Sequence, residues 1–255
     1  MEGLPQDINN KKKEYFIKIG LRIRKALELH KQSGLWNKKN GKRDWGNVSE
    51  HCLVAAARSE IFSDILDFTE NLKKDLMIAA GLHDFFKKNE KEIVTKGGLN
   101  WDSFAKSSRE AENKMEEAGF SDTVIRLANA VGHNSLIETE KLLLEEQLTP
   151  EDLACLVLHY IDDYTVGSEW ATGGQDKTNL DMRVDNNIKN PRYAQLNEEG
   201  KAIFNGETTF EAQRRIGHLV EEKLTEFINK KSNQSINSKD LPQFIDQQIK
   251  NNIES

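Results

Sequence analysis

A histidine–aspartate pair, His83-Asp84, is the feature of this 255-residue chain that points most directly to chemistry. It follows the apolar stretch 76–82 and precedes the aromatic, basic and polar stretch 85–89. Successive residues of a regular helix point about 100° apart, so both side chains can reach one ion only where the helix ends. The change in composition after residue 84 indicates such an end.

Other histidine and carboxylate side chains could complete a metal site with this pair. His51 lies upstream, and Asp162 and Asp163 follow an apolar stretch downstream. Two imidazoles and two carboxylates suit a divalent transition metal or magnesium. The residue types do not distinguish Mn, Mg, Co, Ni, Fe and Zn. The alternative is a structural role, in which these side chains satisfy helix ends or pair with one another.

The order and the flanks of these residues resemble the HD superfamily of metal-dependent phosphohydrolases. The matching segments are 48–55, 79–87 and 157–162, and the resemblance spans about residues 45–170. It implies an all-α fold, an HD-domain-like helical bundle with a long polar excursion and C-terminal helices. The metal ligands it implies are His51, His83, Asp84 and Asp162. Asp162 is preferred to Asp163 because it aligns with the aspartate that ends the corresponding helix in the family.

The resemblance also implies roles for residues near the metal. Asp84 would help to position a water molecule, and Lys87 matches a lysine that often follows the pair and could contact phosphate. His133 lies in an interval where several HD enzymes place a second-metal ligand or a transition-state contact. Because His133 is the one such histidine that we identify, a site with one metal is expected. A solvated lysine and an ordinary capping histidine are the alternatives.

Four arginines and three further histidines are the remaining side chains that could have a function. An arginine grips phosphate through a bidentate fork, which makes four arginines candidates for substrate binding, although each alone is more often a surface residue. These are Arg183, Arg192, Arg214 and Arg215. His159 shares a helix face with Asp162 and is expected to be structural. His30 and His218 are expected at the surface.

The composition of the chain indicates which kinds of partner and which cellular compartment to expect. The chain has 36 basic and 42 acidic residues, a net charge of −6, so no nucleic acid partner is expected. Neither a secretory signal nor an apolar stretch of the roughly 20 residues that cross a bilayer is evident, so no membrane association is expected. Cys52 and Cys155 lie in apolar stretches, which favours reduced thiols and a cytoplasmic protein. A homo-oligomer is possible.

Hydrophobic spacing predicts helices over 13–29, 69–86, 103–118, 122–131, 208–228 and 241–253. Ser49 is expected to cap one more helix, and Thr149-Pro150 to start a buried one. One helical domain is predicted over 1–230, followed by a linker and a weak terminal helix over 231–255. A polar excursion over about 167–206, with a short helix near 193–196, is expected to act as a lid.

The leading hypothesis is metal-assisted hydrolysis of a phosphate monoester or diester, in a nucleotide or a related small phosphorylated metabolite. One alternative is a degenerate HD-domain sensor that binds metal without turnover. Another is a metal-free helical interaction protein. A metal-dependent oxygenase would need more histidine ligands than the chain offers.

Overall fold

A computed structural model describes residues 6–39, 42–43, 45, 47–165, 180–232 and 234–254. Over these residues the chain forms 13 α-helices, three short 3-10 helices and a small antiparallel pair of strands, β1 (Lys38–Lys39) and β2 (Lys42–Arg43). The all-α prediction is therefore confirmed. The helices are α1 (Gln6–Arg22), α2 (Arg24–Gln32), α3 (Val48–Ile65), α4 (Glu70–Leu82), α5 (Lys87–Gly97), α6 (Trp101–Glu117), α7 (Asp122–Ala128), α8 (Leu136–Leu144), α9 (Pro150–Tyr164), α10 (Leu180–Lys189), α11 (Ala194–Ile203), α12 (Thr209–Ser232) and α13 (Leu241–Glu254).

Helices α3, α4 and α9 pack against one another at the centre of the core. Helix α9 is apolar almost all round, and every residue from 153 to 164 is buried, as its sequence predicts. It starts as predicted, with Pro150 in its first turn and a capping box between Thr149 and Asp152. The carboxylates near its end are therefore delivered from inside the core.

Helix α4 ends where the pair His83-Asp84 was predicted to break it. The helix starts after Thr69, whose hydroxyl accepts the Leu72 amide at 3.3 Å, and its last residue is Leu82. The next helix, α5, starts only at Lys87. Residues 83–86 thus form a turn, so the predicted helix over 69–86 is several residues too long.

Two local predictions were wrong. Ser49 does not cap α3, because the helix already begins at Val48 and its N-cap residue is Asn47. The segment predicted as a largely irregular excursion is helical over much of its later part, in α10 and α11. The earlier part, residues 166–179, lies outside the described residues.

The C-terminal helix α13 is not the weak helix that its sequence suggests. It buries Leu241, Ile245, Ile249 and Ile253, and it packs against α1 and α3. The buried Arg58 of α3 donates to Asp246 of α13 at 2.9 Å. The terminal helix is therefore part of the same core. None of the helices in the described ranges is both long and apolar enough to cross a membrane.

Two glycines give a matched test of how closely α11 packs against the start of α12. A Cβ atom at Gly200 of α11 would lie 2.1 Å from the backbone nitrogen of Thr209, whereas one at Gly20 of α1 would lie 3.8 Å from its nearest neighbours, Leu27 and Leu53. We expect Gly200→Ala to lower the free energy of unfolding by about 2 kcal/mol or more. Gly20→Ala should raise it by roughly 0.5–1 kcal/mol, because alanine has the higher helix propensity. Urea denaturation of both variants checks the packing, and equal stability of the two would contradict it.

Candidate metal centre

Three helix ends bring His51, His83 and Asp162 together. His51 lies in the first turn of α3, His83 directly follows α4, and Asp162 lies in the last turn of α9. The Nε2 atoms of His51 and His83 are 2.9 Å apart. The Oδ1 atom of Asp162 lies 3.3 Å from Nε2 of His51 and 3.5 Å from Nε2 of His83. The side chains of all three are almost fully buried. The pattern of three distant positions meeting at one point agrees with the prediction.

These three atoms form a group that could hold a metal ion. Ligands bonded to one cation at about 2.0–2.2 Å lie roughly 2.8–3.6 Å from each other, and the three separations of 2.9, 3.3 and 3.5 Å fall within that range. The His83 Nδ1 atom lies 2.8 Å from the carbonyl of Ala80. A carbonyl only accepts, so Nδ1 carries a proton, and Nε2 is the ring nitrogen that a metal ion would bind once it is free of a proton. This backbone partner is the arrangement that metal-binding histidines usually have.

Asp84 stands beside this group rather than within it. Its Oδ2 atom lies 4.0 Å from Nε2 of His83, and its Oδ1 atom lies 3.4 Å from the Lys87 ammonium. Burial alone would raise the pKa of Asp84, but Lys87 and then His83 outweigh burial and lower it to about 2. Asp84 is therefore an ionised carboxylate at the edge of the group.

The group lies in the wall of a cavity of about 720 Å³. Of the predicted site residues, the cavity is lined by His51, His83, Asp84, Lys87, His133, Asp162, Arg183 and Arg192. Aromatic rings of Trp45, Phe86, Phe104 and Tyr193 form other parts of its wall, together with amides such as Asn129, Asn134 and Gln213. No sequence pattern indicated these amides, because their approach to the cavity depends on how α7, α12 and the turn before α8 pack.

Arg183 of α10 supports the aspartate of the group. Its guanidinium donates to the backbone carbonyl of Asp162 and lies 3.9 Å from the Oδ1 atom. Burial alone would raise the pKa of Asp162, but Arg183 and the hydrogen bonds with the two histidines hold it well below the usual range. The aspartate is thus a carboxylate, the form that binds a cation.

His133 is a neutral side chain in the cavity wall. The rings of Phe104 and Phe210 meet it edge-on at centroid distances of 5.8 and 5.2 Å. Burial, reinforced by the nearby Lys87, lowers its pKa to about 4. Its Nδ1 atom is buried and has no hydrogen-bond partner among the described residues. His133 is therefore a neutral imidazole in the wall of the cavity, and a neutral imidazole can donate one hydrogen bond and accept another.

The four candidate arginines separate into two pairs. Arg183 and Arg192 line the cavity, but Arg214 and Arg215 do not. Arg214 pairs with Asp181 and Asp185 of α10. Arg215 pairs with Glu140 and Glu207, both at 2.7 Å. The prediction that Arg214 and Arg215 bind phosphate in this cavity is therefore wrong, because nearby carboxylates hold both guanidinium groups away from the cavity.

Asp163 and His159 belong to a buried network behind the group. Asp163 Oδ1 accepts from the Gln213 amide at 2.8 Å, and its Oδ2 lies 3.5 Å from His159 Nε2. The other nitrogen of His159 lies 3.1 Å from the Ser135 hydroxyl. Asp163 is therefore engaged away from His51 and His83, in keeping with the choice of Asp162 as the candidate ligand.

His30 is buried, contrary to the prediction from the sequence. It was expected at the surface, but its side chain is fully buried between α2, α3 and α4. A signal was present, because His30 follows Ile23 and Ala26 at helical spacing on the apolar face of its helix. His218, by contrast, is partly exposed and bonds to Asp181 at 3.1 Å.

A scan against protein-family models gives no match, and comparisons with curated proteins and with solved structures give none either.

Adjacent aspartates allow a matched test of the candidate ligands. We expect Asp162→Asn to weaken Mn²⁺ or Co²⁺ binding by at least about 100-fold, since even losing a partner of a metal ligand commonly costs 10–100-fold. Asp163→Asn should bind the ion as the unaltered protein does, because Asn can still accept from Gln213. Isothermal titration calorimetry measures both affinities. Equal weakening by the two substitutions would contradict the assignment.

Metal binding should also release protons. Burial alone would lower the pKa of His83, but Cys52 and Asp162 outweigh burial and hold it well above the usual 6.5. At pH 7 part of the protein therefore carries a protonated His83, which cannot bind metal until the proton leaves. We expect the affinity for metal to fall as pH falls through the pKa of His83. Calorimetry at pH 7 in two buffers of different ionisation enthalpy should show proton release, and identical heats would contradict it.

Proposed function

We propose that this protein is a metal-dependent phosphohydrolase of the HD-domain type, acting on a nucleotide or a related small phosphorylated metabolite. The proposal depends on one observation above all. His51, His83 and Asp162 meet at the wall of a cavity that also holds the cationic side chains of Lys87 and Arg183. Metal ligands next to cationic phosphate-binding groups are the combination that phosphoester hydrolysis uses.

His51, His83 and Asp162 would hold the metal ion, with Asp84 able to join them from the edge of the group. When bound, a divalent cation supplies Lewis acidity towards a phosphoryl oxygen and towards a water molecule. Lys87 is half-exposed, and Asp84 and Glu90 raise its pKa, so it stays positively charged. Lys87 and Arg183 attract the phosphate group and hold it near the three ligands.

Asp84 and His133 have distinct parts in the proposed reaction. The Asp84 carboxylate can accept a hydrogen bond from the attacking water and so orient it towards phosphorus. Neutral His133 can donate one N–H to a phosphoryl oxygen, where negative charge grows as the bond breaks. The rings of Phe104 and Phe210 fix the imidazole plane for this contact.

The volume of the cavity is consistent with a small-molecule substrate. Its volume of about 720 Å³ lies within the range of roughly 300–1,000 Å³ that is typical of small-molecule sites. The net charge of −6 disfavours nucleic acid. Both cysteines are buried and free, which fits a reducing compartment, so we place the proposed activity in the cytoplasm.

The proposal is tested with purified protein and a panel of mononucleotides, deoxynucleoside triphosphates and cyclic nucleotides in the presence of Mn²⁺, Mg²⁺, Co²⁺ or Ni²⁺. We expect phosphate or phosphomonoester release that a chelator abolishes. Asp84→Ala should lose both turnover and metal retention. Metal binding without turnover on any compound would favour a degenerate sensor, and a metal-replete, active Asp84→Ala variant would contradict the role of Asp84.

Two arginines provide a second test of the cavity. Arg183→Met should lower kcat/KM by about 100-fold or more, in line with the loss of one charge-stabilising donor. Arg215→Gln should leave kcat/KM within a factor of about two, because the Arg215 side chain pairs with Glu140 and Glu207 outside the cavity. Steady-state kinetics on the best substrate of the panel distinguishes the two variants. An equal loss in both would place the phosphate elsewhere.

A further inference from the structure

His30 is a buried residue that touches both of the helix ends from which the candidate histidine ligands project. Its side chain has no exposed surface. The Nε2 atom lies 2.7 Å from the Gly81 carbonyl, and the Nδ1 atom lies 3.1 Å from the Ser49 hydroxyl. Gly81 lies two residues before His83, and Ser49 lies two residues before His51.

The directions of these hydrogen bonds follow from their partners. The Gly81 carbonyl only accepts, so His30 Nε2 carries the proton and donates it. Nδ1 of the neutral ring is then an acceptor and takes the proton of the Ser49 hydroxyl. The Ser49 oxygen in turn accepts from the Trp36 indole N–H at 2.9 Å. A single tautomer thus gives both ring nitrogens of His30 a partner, the Gly81 carbonyl at Nε2 and the Ser49 hydroxyl at Nδ1.

The Gly81 carbonyl needs a partner because α4 ends there. In a continuing helix the Phe85 amide would bond to this carbonyl, but it bonds to Leu82 instead, at 2.8 Å. Helix α2 comes close enough for His30 to take that place. A Cβ atom at Gly81 would lie 3.1 Å from the Cβ of Ala26. His30 therefore caps the turn that carries His83.

We propose that His30 is a positioning residue that fixes the separation of His51 and His83 in the metal site. The inference rests on the proposed metal-dependent function. One rigid imidazole ring bonds to the last turn of α4 at one nitrogen and to the first turn of α3 at the other. A change in this ring changes the relative position of the two helix ends, and with it the spacing of the two Nε2 atoms that now lie 2.9 Å apart.

The test is a Co²⁺ titration of the full-length protein, followed by calorimetry and by the visible absorption of the bound ion, which reports coordination geometry. We expect His30→Leu to weaken Co²⁺ binding at least 10-fold and to alter the absorption spectrum. Ile249→Ala is the control for a general loss of stability, because Ile249 is fully buried on α13 and does not line the cavity. It should bind Co²⁺ with unchanged affinity and spectrum.

Wild-type affinity and spectrum in His30→Leu would overturn the proposal, and so would equal weakening in Ile249→Ala. If His30→Leu does not fold, Ser49→Ala decides the question, since alanine favours the helix and removes only the hydroxyl. We expect several-fold weaker binding in Ser49→Ala, and unchanged binding overturns the proposal. Failure of the unaltered protein to bind Co²⁺ overturns the proposed function together with this inference, whereas binding that the variants leave intact overturns this inference alone.

Discussion

A carboxylate buried between two imidazole rings is the constraint on which the site depends. Burying Asp162 is unfavourable unless positive charge or hydrogen bonds compensate it. His51, His83 and Arg183 supply that compensation, and the pKa of Asp162 stays far below its usual range. The two Nε2 atoms face each other at 2.9 Å, a spacing that a shared proton or a shared cation can stabilise. The donor set, two imidazole nitrogens and one carboxylate oxygen, is one that could hold a cation.

Helix ends, rather than helix faces, set this geometry. His83 follows the last residue of α4, His51 lies in the first turn of α3, and Asp162 lies in the last turn of α9. Backbone groups at helix ends lack partners within the helix, so side chains nearby can bond to them. His30 does this for α4, and Arg183 bonds to the Asp162 carbonyl. The same bonds that satisfy the backbone thus hold the candidate ligands in place.

Local signals predicted the parts of the site that local chemistry determines. A helix end near His83-Asp84 and the start of α9 at Thr149-Pro150 were both predicted, although the helix drawn over 69–86 was several residues too long. A change in composition and a capping box both act over a few residues. Packing between distant segments was not predicted. His30 is buried because a carbonyl of α4 and a hydroxyl of α3 meet it, and Arg183 reaches the cavity while Arg215 does not, because carboxylates hold Arg215 elsewhere. Neither arrangement can be read from spacing within one helix.

The central claim is that one cation binds where the three helix ends meet. Anomalous diffraction from crystals of the protein grown with Mn²⁺, recorded on both sides of the manganese absorption edge, tests it most directly. We expect a single anomalous peak within about 2.3 Å of the Nε2 atoms of His51 and His83 and of the Oδ1 atom of Asp162. A peak elsewhere, or imidazole rings turned away from each other with no ion between them, would contradict it.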